Sequence, residues 1–252
     1  MTSRKADKNT QDMTQWRAAI DRHDDEIMAL IRSRLALSEE VGKTKAHGRL
    51  AWRPAREAQL FARLAGKAGK TLSPHAVERL WSTIIAQSLL AQGPAFLLVP
   101  RSHPALPALA RSFFGLLPMH VVADPACALT RCAVEEGAIA ILPAPGPDAQ
   151  WWLQLASLNA AHEQAPAVLA ALPRFAADGP PAAYAVARAA CERSGDDWFW
   201  YVTQAGVANM PKATVLASAG DLRLVALESK TLPEAPQQAR LVGVFAKPLH
   251  TG

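Results

Sequence analysis

Several things are scarce in this 252-residue chain, and each scarcity excludes a class of protein. No window approaches the roughly 18 consecutive apolar residues that a membrane-spanning helix needs, so no membrane span is expected. The opening residues MTSRKADKNTQDMTQ contain no apolar core of the kind a secretory signal carries, and a cytoplasmic location is the expectation. Only three cysteines occur (Cys127, Cys132 and Cys191), and none forms a Cys-x-x-Cys pair. That usage predicts free thiols in a reducing compartment and no zinc site. Cys132 has a basic neighbour, Arg131, whereas inert thiols are the default for the others. The seven histidines, at 23, 47, 75, 103, 120, 162 and 250, fall at no metal-ligand spacing. Aromatic residues make up 6% of the chain and do not interleave with the basic ones, which argues against stacking on nucleic-acid bases.

Charge and proline are present but unevenly placed. Residues 1–92 hold 16 Lys and Arg against 10 Asp and Glu, whereas residues 93–252 hold 11 against 12. Two of the 19 prolines precede residue 93. Such different statistics predict two domains, with a basic first one suited to a small anion. We read 1–12 as a polar tail, 13–93 as a helical domain and 94–252 as an α/β domain.

From Met13 to about His47 no proline intervenes, and Trp16, Ile20, Ile27, Leu30, Ile31, Leu35 and Val41 recur at helical spacing. One long helix is predicted, ending near Gly48. It is too long to bury its apolar stripe alone and implies a bundle or a dimer. Pro54 is placed to open a second helix over 54–67. Ser73-Pro74 caps and opens a third, running to Gln92 before Gly93-Pro94 stops it. Beyond residue 94, β-like runs at 96–99, 120–123 and 139–142 alternate with helical stretches at 104–114 and 125–136, a βαβαβ rhythm. Further strands are expected at 184–188, 198–203, 213–217, 222–227 and 240–246. Trp151-Trp152 and the Trp198–Tyr201 cluster read as core, and Asp196-Asp197 as a turn before a strand.

The polar residues of the helical part carry the chemistry. Arg34 and Lys45 are three turns apart with only about 20° of drift, hence on one stripe and roughly 16 Å apart along the axis. Arg17 lies about 42 Å from Lys45 on the same helix, so it can join a small-ligand site there only from another copy of the chain. Ser88 and Gln92 share a face of the third helix. Arg56-Glu57 opens the second, where a carboxylate also suits the helix dipole. Each of these residues has an ordinary reading on its own, as a solvated charge or a helix-packing contact.

Together, the string Trp16-Arg17-Ala-Ala-Ile20-Asp21-x-x-Asp24, Arg34, Glu40-Val41-Gly42-Lys43-x-Lys45, Pro54-x-Arg56-Glu57 and Ile84-Ile85-x-x-Ser88-x-x-x-Gln92 closely resembles the all-helical chorismate mutases. Order and spacing over residues 13–92 carry the likeness. The resemblance implies two chains intertwined through the first helix, forming a homodimer, and a Claisen rearrangement of chorismate to prephenate for aromatic amino-acid synthesis. It implies no metal and no cofactor. Arg17 from the partner copy and Arg34 would hold the two carboxylates, and Lys45 and Gln92 would donate to the ether oxygen. Glu57 would accept from the ring hydroxyl, Ser88 would help seat a carboxylate, and Arg56 would shape the local charge. The chain departs from the family at Arg53, where members often carry Asp; the change removes a helix cap and adds positive charge. Two other readings use the same scaffold: pyruvate loss from isochorismate, and a non-catalytic sensor of chorismate-like anions.

In the second domain, Asp124-Pro125 through Pro143 is similar to a segment of prephenate dehydratases, and Glu228-Ser229-Lys230 resembles part of a regulatory amino-acid-binding module. The Thr-Arg-Phe motif of an active dehydratase is absent, since Thr130-Arg131 is followed by Cys132. The resemblance implies a diverged, binding-protein-like and two-lobed α/β domain, silent for dehydration, with an aromatic amino acid as effector.

Overall fold

The structure is a computed structural model. It describes residues 3–44, 50–161, 165–176, 179–189, 191–204, 213–231, 233 and 239–250. Lys45, His47, Gly48 and His162 therefore lie outside the described residues.

Helix α1 spans Ser3–Lys43 and is about 60 Å long. It begins ten residues before the predicted start and takes in most of the segment read as a tail, because no proline or glycine interrupts that polar stretch. Half-buried Ile31, Arg34, Leu35, Ser38 and Gly42 form one stripe that turns towards the rest of the chain. Trp16, Ile20, Ile27 and Leu30, by contrast, are exposed, Leu30 to 71%.

Helix α2 spans Pro54–Ala68, with Pro54 in its first turn as expected. Arg53 provides no side-chain cap. Helix α3 spans Pro74–Leu90, and the Ser73 hydroxyl accepts from the Ala76 N–H at 3.1 Å, which satisfies one of the donors left open at a helix start.

The remainder is built on a nine-stranded mixed sheet. Strands β1 (Phe96–Pro100), β2 (Met119–Val122) and β3 (Ala138–Pro143) run parallel, with β1 in the middle. They are joined by helices α4 (Leu106–Phe114) and α5 (Pro125–Val134), the predicted βαβαβ rhythm. Next come helix α6 (Trp151–Ala161) and strand β4 (Ala167–Leu172), two elements absent from the sequence reading. Strands β6 (Ala183–Ala187), β7 (Asp197–Gln204), β8 (Ala213–Ala219), β9 (Leu222–Ser229) and β10 (Arg240–Ala246) lie where short β-like runs were expected. The strand order is β2-β1-β3-β6-β4-β10-β7-β9-β8. A separate parallel pair joins β5 (Phe175–Ala176) to β11 (Leu249–His250).

Alternate residues of the inner strands supply two cores, as a pleated sheet covered on both faces must. Leu98, Ala140 and Leu142 face the core built with Trp151, Trp152 and Leu155 of α6. Leu97, Val99, Ile139 and Ile141 face the opposite core, with Phe113 and Phe114 of α4. Leu50, Trp52, Ala86 and Leu89 of the helical segment belong to that second core. Helix α3 also packs closely on the end of α4. A Cβ on Gly115 would sit 2.7 Å from the Ser82 carbonyl oxygen, and Gly115 itself has a φ of +60°. Glycine alone meets both demands without strain. The helical segment and the sheet thus share this second core.

Trp151, Trp152, Trp200 and Tyr201 are core residues, as read. Asp197 does open a strand, and its buried carboxylate accepts from the Ser194 and Gly195 N–H groups. Arg131 does not activate Cys132: it pairs with Glu135, while burial pushes the Cys132 thiol up to about 12.

Candidate functional site

A cavity of about 350 Å³ opens between the C-terminal part of α1, the start of α2 and the end of α3. Its lining includes Arg34, Arg56, Glu57, Ser88 and Gln92, five of the seven residues singled out from sequence. They come from three helices and, for Gln92, the turn that ends the third, so the cavity exists only once those helices pack.

Arg34 enters from the half-buried stripe of α1, and one of its Nη atoms donates to the Ser88 hydroxyl. The Ser88 hydroxyl in turn donates to the Ile84 carbonyl at 2.9 Å. The Gln92 amide donates to the Ser88 carbonyl at 2.8 Å. Gly42 makes this corner possible, since a Cβ there would approach the Gln92 Cα to 3.0 Å. Arg34, Ser88 and Gln92 are thereby fixed relative to one another before any ligand arrives.

The electrostatics favour an anion. Burial, followed by the positive charge of Arg56, holds Arg34 below the usual guanidinium range. The negative charge of an incoming carboxylate would offset both effects, and the guanidinium fork suits it. Arg53 also lines the cavity, but its fork is committed to Glu192, with Nε at 2.9 and 3.1 Å from the two carboxylate oxygens. Gln59, one turn along α2, donates to the Ser194 carbonyl at 3.0 Å.

Among the described residues, Glu57 is the one acid in the lining, and it is 7% exposed. Trp52 Nε1 donates to its Oε2 at 2.9 Å, and Arg174 donates to its Oε1 at 2.5 Å. Neither partner was singled out from sequence. Trp52 is near enough in the chain to be found from its position before α2. Arg174 lies 117 residues away and follows β4, so no local signal connects it to the site.

Two expected residues are not brought together here. Arg17 is exposed on α1, roughly 25 Å along the helix from Arg34. Lys45 lies outside the described residues. Among the described residues, no three His, Cys, Asp or Glu side chains gather as a metal site, and no helix is long and apolar enough to cross a membrane.

Three helices thus surround a cavity rich in arginine, with an amide, a hydroxyl and one clamped carboxylate in its wall. Residues 16–93 match the family model described as chorismate mutase type II. No curated protein matches the chain. Among solved structures, it is similar to one described as GqqA, a novel type of quorum quenching acylase. That match has 13% identity and a TM-score of 0.39, over 61% of this chain and 95% of the other.

Proposed function

We propose that the protein is a chorismate mutase, converting chorismate to prephenate for aromatic amino-acid synthesis. The observation that carries this reading is the convergence of Arg34, Arg56, Glu57, Ser88 and Gln92 on one cavity within the matched domain.

The reaction is unimolecular, so the protein's work is to hold the reactive conformer and meet charge as it develops. Arg34 grips one substrate carboxylate with Ser88 beside it, and Arg56 adds to the positive field. Arg17, supplied by a second copy of the chain, holds the other carboxylate. The bond between the ether oxygen and the ring carbon breaks as the new carbon–carbon bond forms. Lys45 and the Gln92 amide donate to that oxygen as it gathers negative charge. Glu57 accepts from the ring hydroxyl. Its two known donors leave lone pairs free, since an ionised carboxylate offers about four acceptor sites.

The exposed Trp16, Ile20, Ile27 and Leu30 support pairing of α1 with a second copy, because an isolated 41-residue helix gains little from displaying them to water. We read residues 94–252 as a diverged dehydratase-like domain that binds an aromatic amino acid, testable by calorimetry with phenylalanine and tyrosine.

The decisive experiment is loss of chorismate absorbance with purified protein, with the product converted by acid to phenylpyruvate. Prephenate formation is the expected result. Pyruvate release from isochorismate without prephenate would move the reaction to the lyase, and binding of chorismate without turnover would make the protein a sensor.

A further inference from the structure

Arg174 is among the most buried charged residues described, at 5% exposure. Its guanidinium lies between two aromatic rings, 3.9 Å from the centroid of Phe61 on α2 and 3.8 Å from that of Phe113 on α4. It donates to Glu57 Oε1, and more weakly to the Phe113 carbonyl at 3.4 Å. Glu78 of α3 faces its Nε at 3.8 Å, too far for a hydrogen bond. A guanidinium buried this deeply is costly unless paired, and most of its pairing is with one carboxylate of the candidate site. Stacking on both faces fixes the plane of the fork, which a flexible surface arginine would not achieve.

We infer that Arg174 is a positioning residue for Glu57, and that the α/β half therefore completes the site built by the helices. The inference rests on the mutase reading above. Glu57 occupies the first turns of α2, where its side chain has several rotamers available. Trp52 fixes Oε2 from the segment leading into the helix, and Arg174 fixes Oε1 from the opposite side. With both ends held, the carboxylate has one orientation, and its remaining lone pairs serve the cavity that it lines. Arg53–Glu192 and Gln59–Ser194 dock the same end of α2 onto the α/β half, so the helix carrying Glu57 is held there at three points. Holding a group that touches substrate, without touching substrate itself, is how a surrounding residue contributes to rate.

The test is a double-mutant cycle on chorismate turnover in the full chain, with Arg174→Met, Arg174→Lys, Glu57→Gln and the Glu57→Gln/Arg174→Met pair. Urea unfolding of each variant reports on the fold. Arg174→Met should lower kcat by about tenfold or more and change KM less, because the arginines that grip the carboxylates are untouched. In the Glu57→Gln background the same substitution should cost less than about twofold, since the group it acts through is gone. Arg174→Lys keeps the charge but loses the stacked fork, and should recover only part of kcat. If Arg174→Met does not fold, the lysine variant carries the test, and a folded lysine variant with unaltered kcat would overturn the inference. Equal losses in both backgrounds would also overturn it, since Arg174 would then act independently of Glu57. Absence of turnover in the unsubstituted chain would overturn the mutase reading, and this inference with it.

Discussion

Arg34 combines more roles than any other residue in the cavity. It crosses from α1 to α3 through the Ser88 hydroxyl, and burial and the neighbouring Arg56 both disfavour its charge. Replacing it with alanine removes a charged fork from a partly desolvated site, and turnover should fall by two or more orders of magnitude. The α1 residues further towards the N-terminus are unaffected, so the oligomeric state measured by sedimentation should be unchanged. Gln92 allows a different kind of prediction. An amide donates without needing to be protonated, so kcat should stay nearly level across neutral pH. A rate profile that collapsed above about pH 6 would mean that a titrating donor performs the task assigned to Gln92. Arg53 illustrates how the lack of a helix cap is absorbed. The helix cap is lost, as the residue type dictates, but the guanidinium finds Glu192 and ties α2 to the second half of the chain.

Among the elements, the legible ones are those whose ends carry chemistry. Pro54 and Ser73-Pro74 mark the starts of α2 and α3, and the structure begins both helices at those prolines. Strand β4 was not legible because Ala167–Leu172 is alanine-rich and buried on both faces, so neither β-propensity nor alternation marks it. Helix α6 escaped for a related reason: Trp151, Trp152 and Leu155 are all buried in a stretch that is apolar nearly all round, so no stripe stands out. Both elements precede Arg174, which directly follows β4, so without β4 that part of the site was not legible either. The packing of α3 on α4 can be probed through Gly115. Alanine there would need a positive φ and would press on the Ser82 carbonyl, so Gly115→Ala should cost about 1–3 kcal/mol in urea unfolding.

At the scale of the molecule, the exposed apolar residues of α1 matter most. Trp16, Ile20, Ile27 and Leu30 find no cover among the described residues, and Arg17 stands beside them, far from the cavity it is proposed to serve. Substituting Ile27→Glu together with Leu30→Glu should convert a dimer to a monomer in analytical ultracentrifugation. Activity should fall with it, because each cavity would lose its borrowed arginine. A protein that is monomeric before substitution yet fully active would remove Arg17 from the site.

Residue order alone marked the helical half: the joint spacing of Arg34, Arg56, Glu57, Ser88 and Gln92, around helices opened by Pro54 and by Ser73-Pro74, is legible along the chain, although no one of these residues is diagnostic by itself. The βαβαβ rhythm after residue 94 was legible on the same grounds, since apolar runs and turn residues repeat at the period of the elements they form. What the tertiary structure decided was the relation between the halves. Different composition on either side of residue 93 suggested separate domains, yet Trp52, Ala86 and Leu89 share a core with the sheet, and Arg174 crosses 117 positions to meet Glu57. The physical reason is that burial is collective. A guanidinium can be held between two rings and beside a carboxylate only where three helices and a strand end converge, and no pattern within any one of those elements records that meeting.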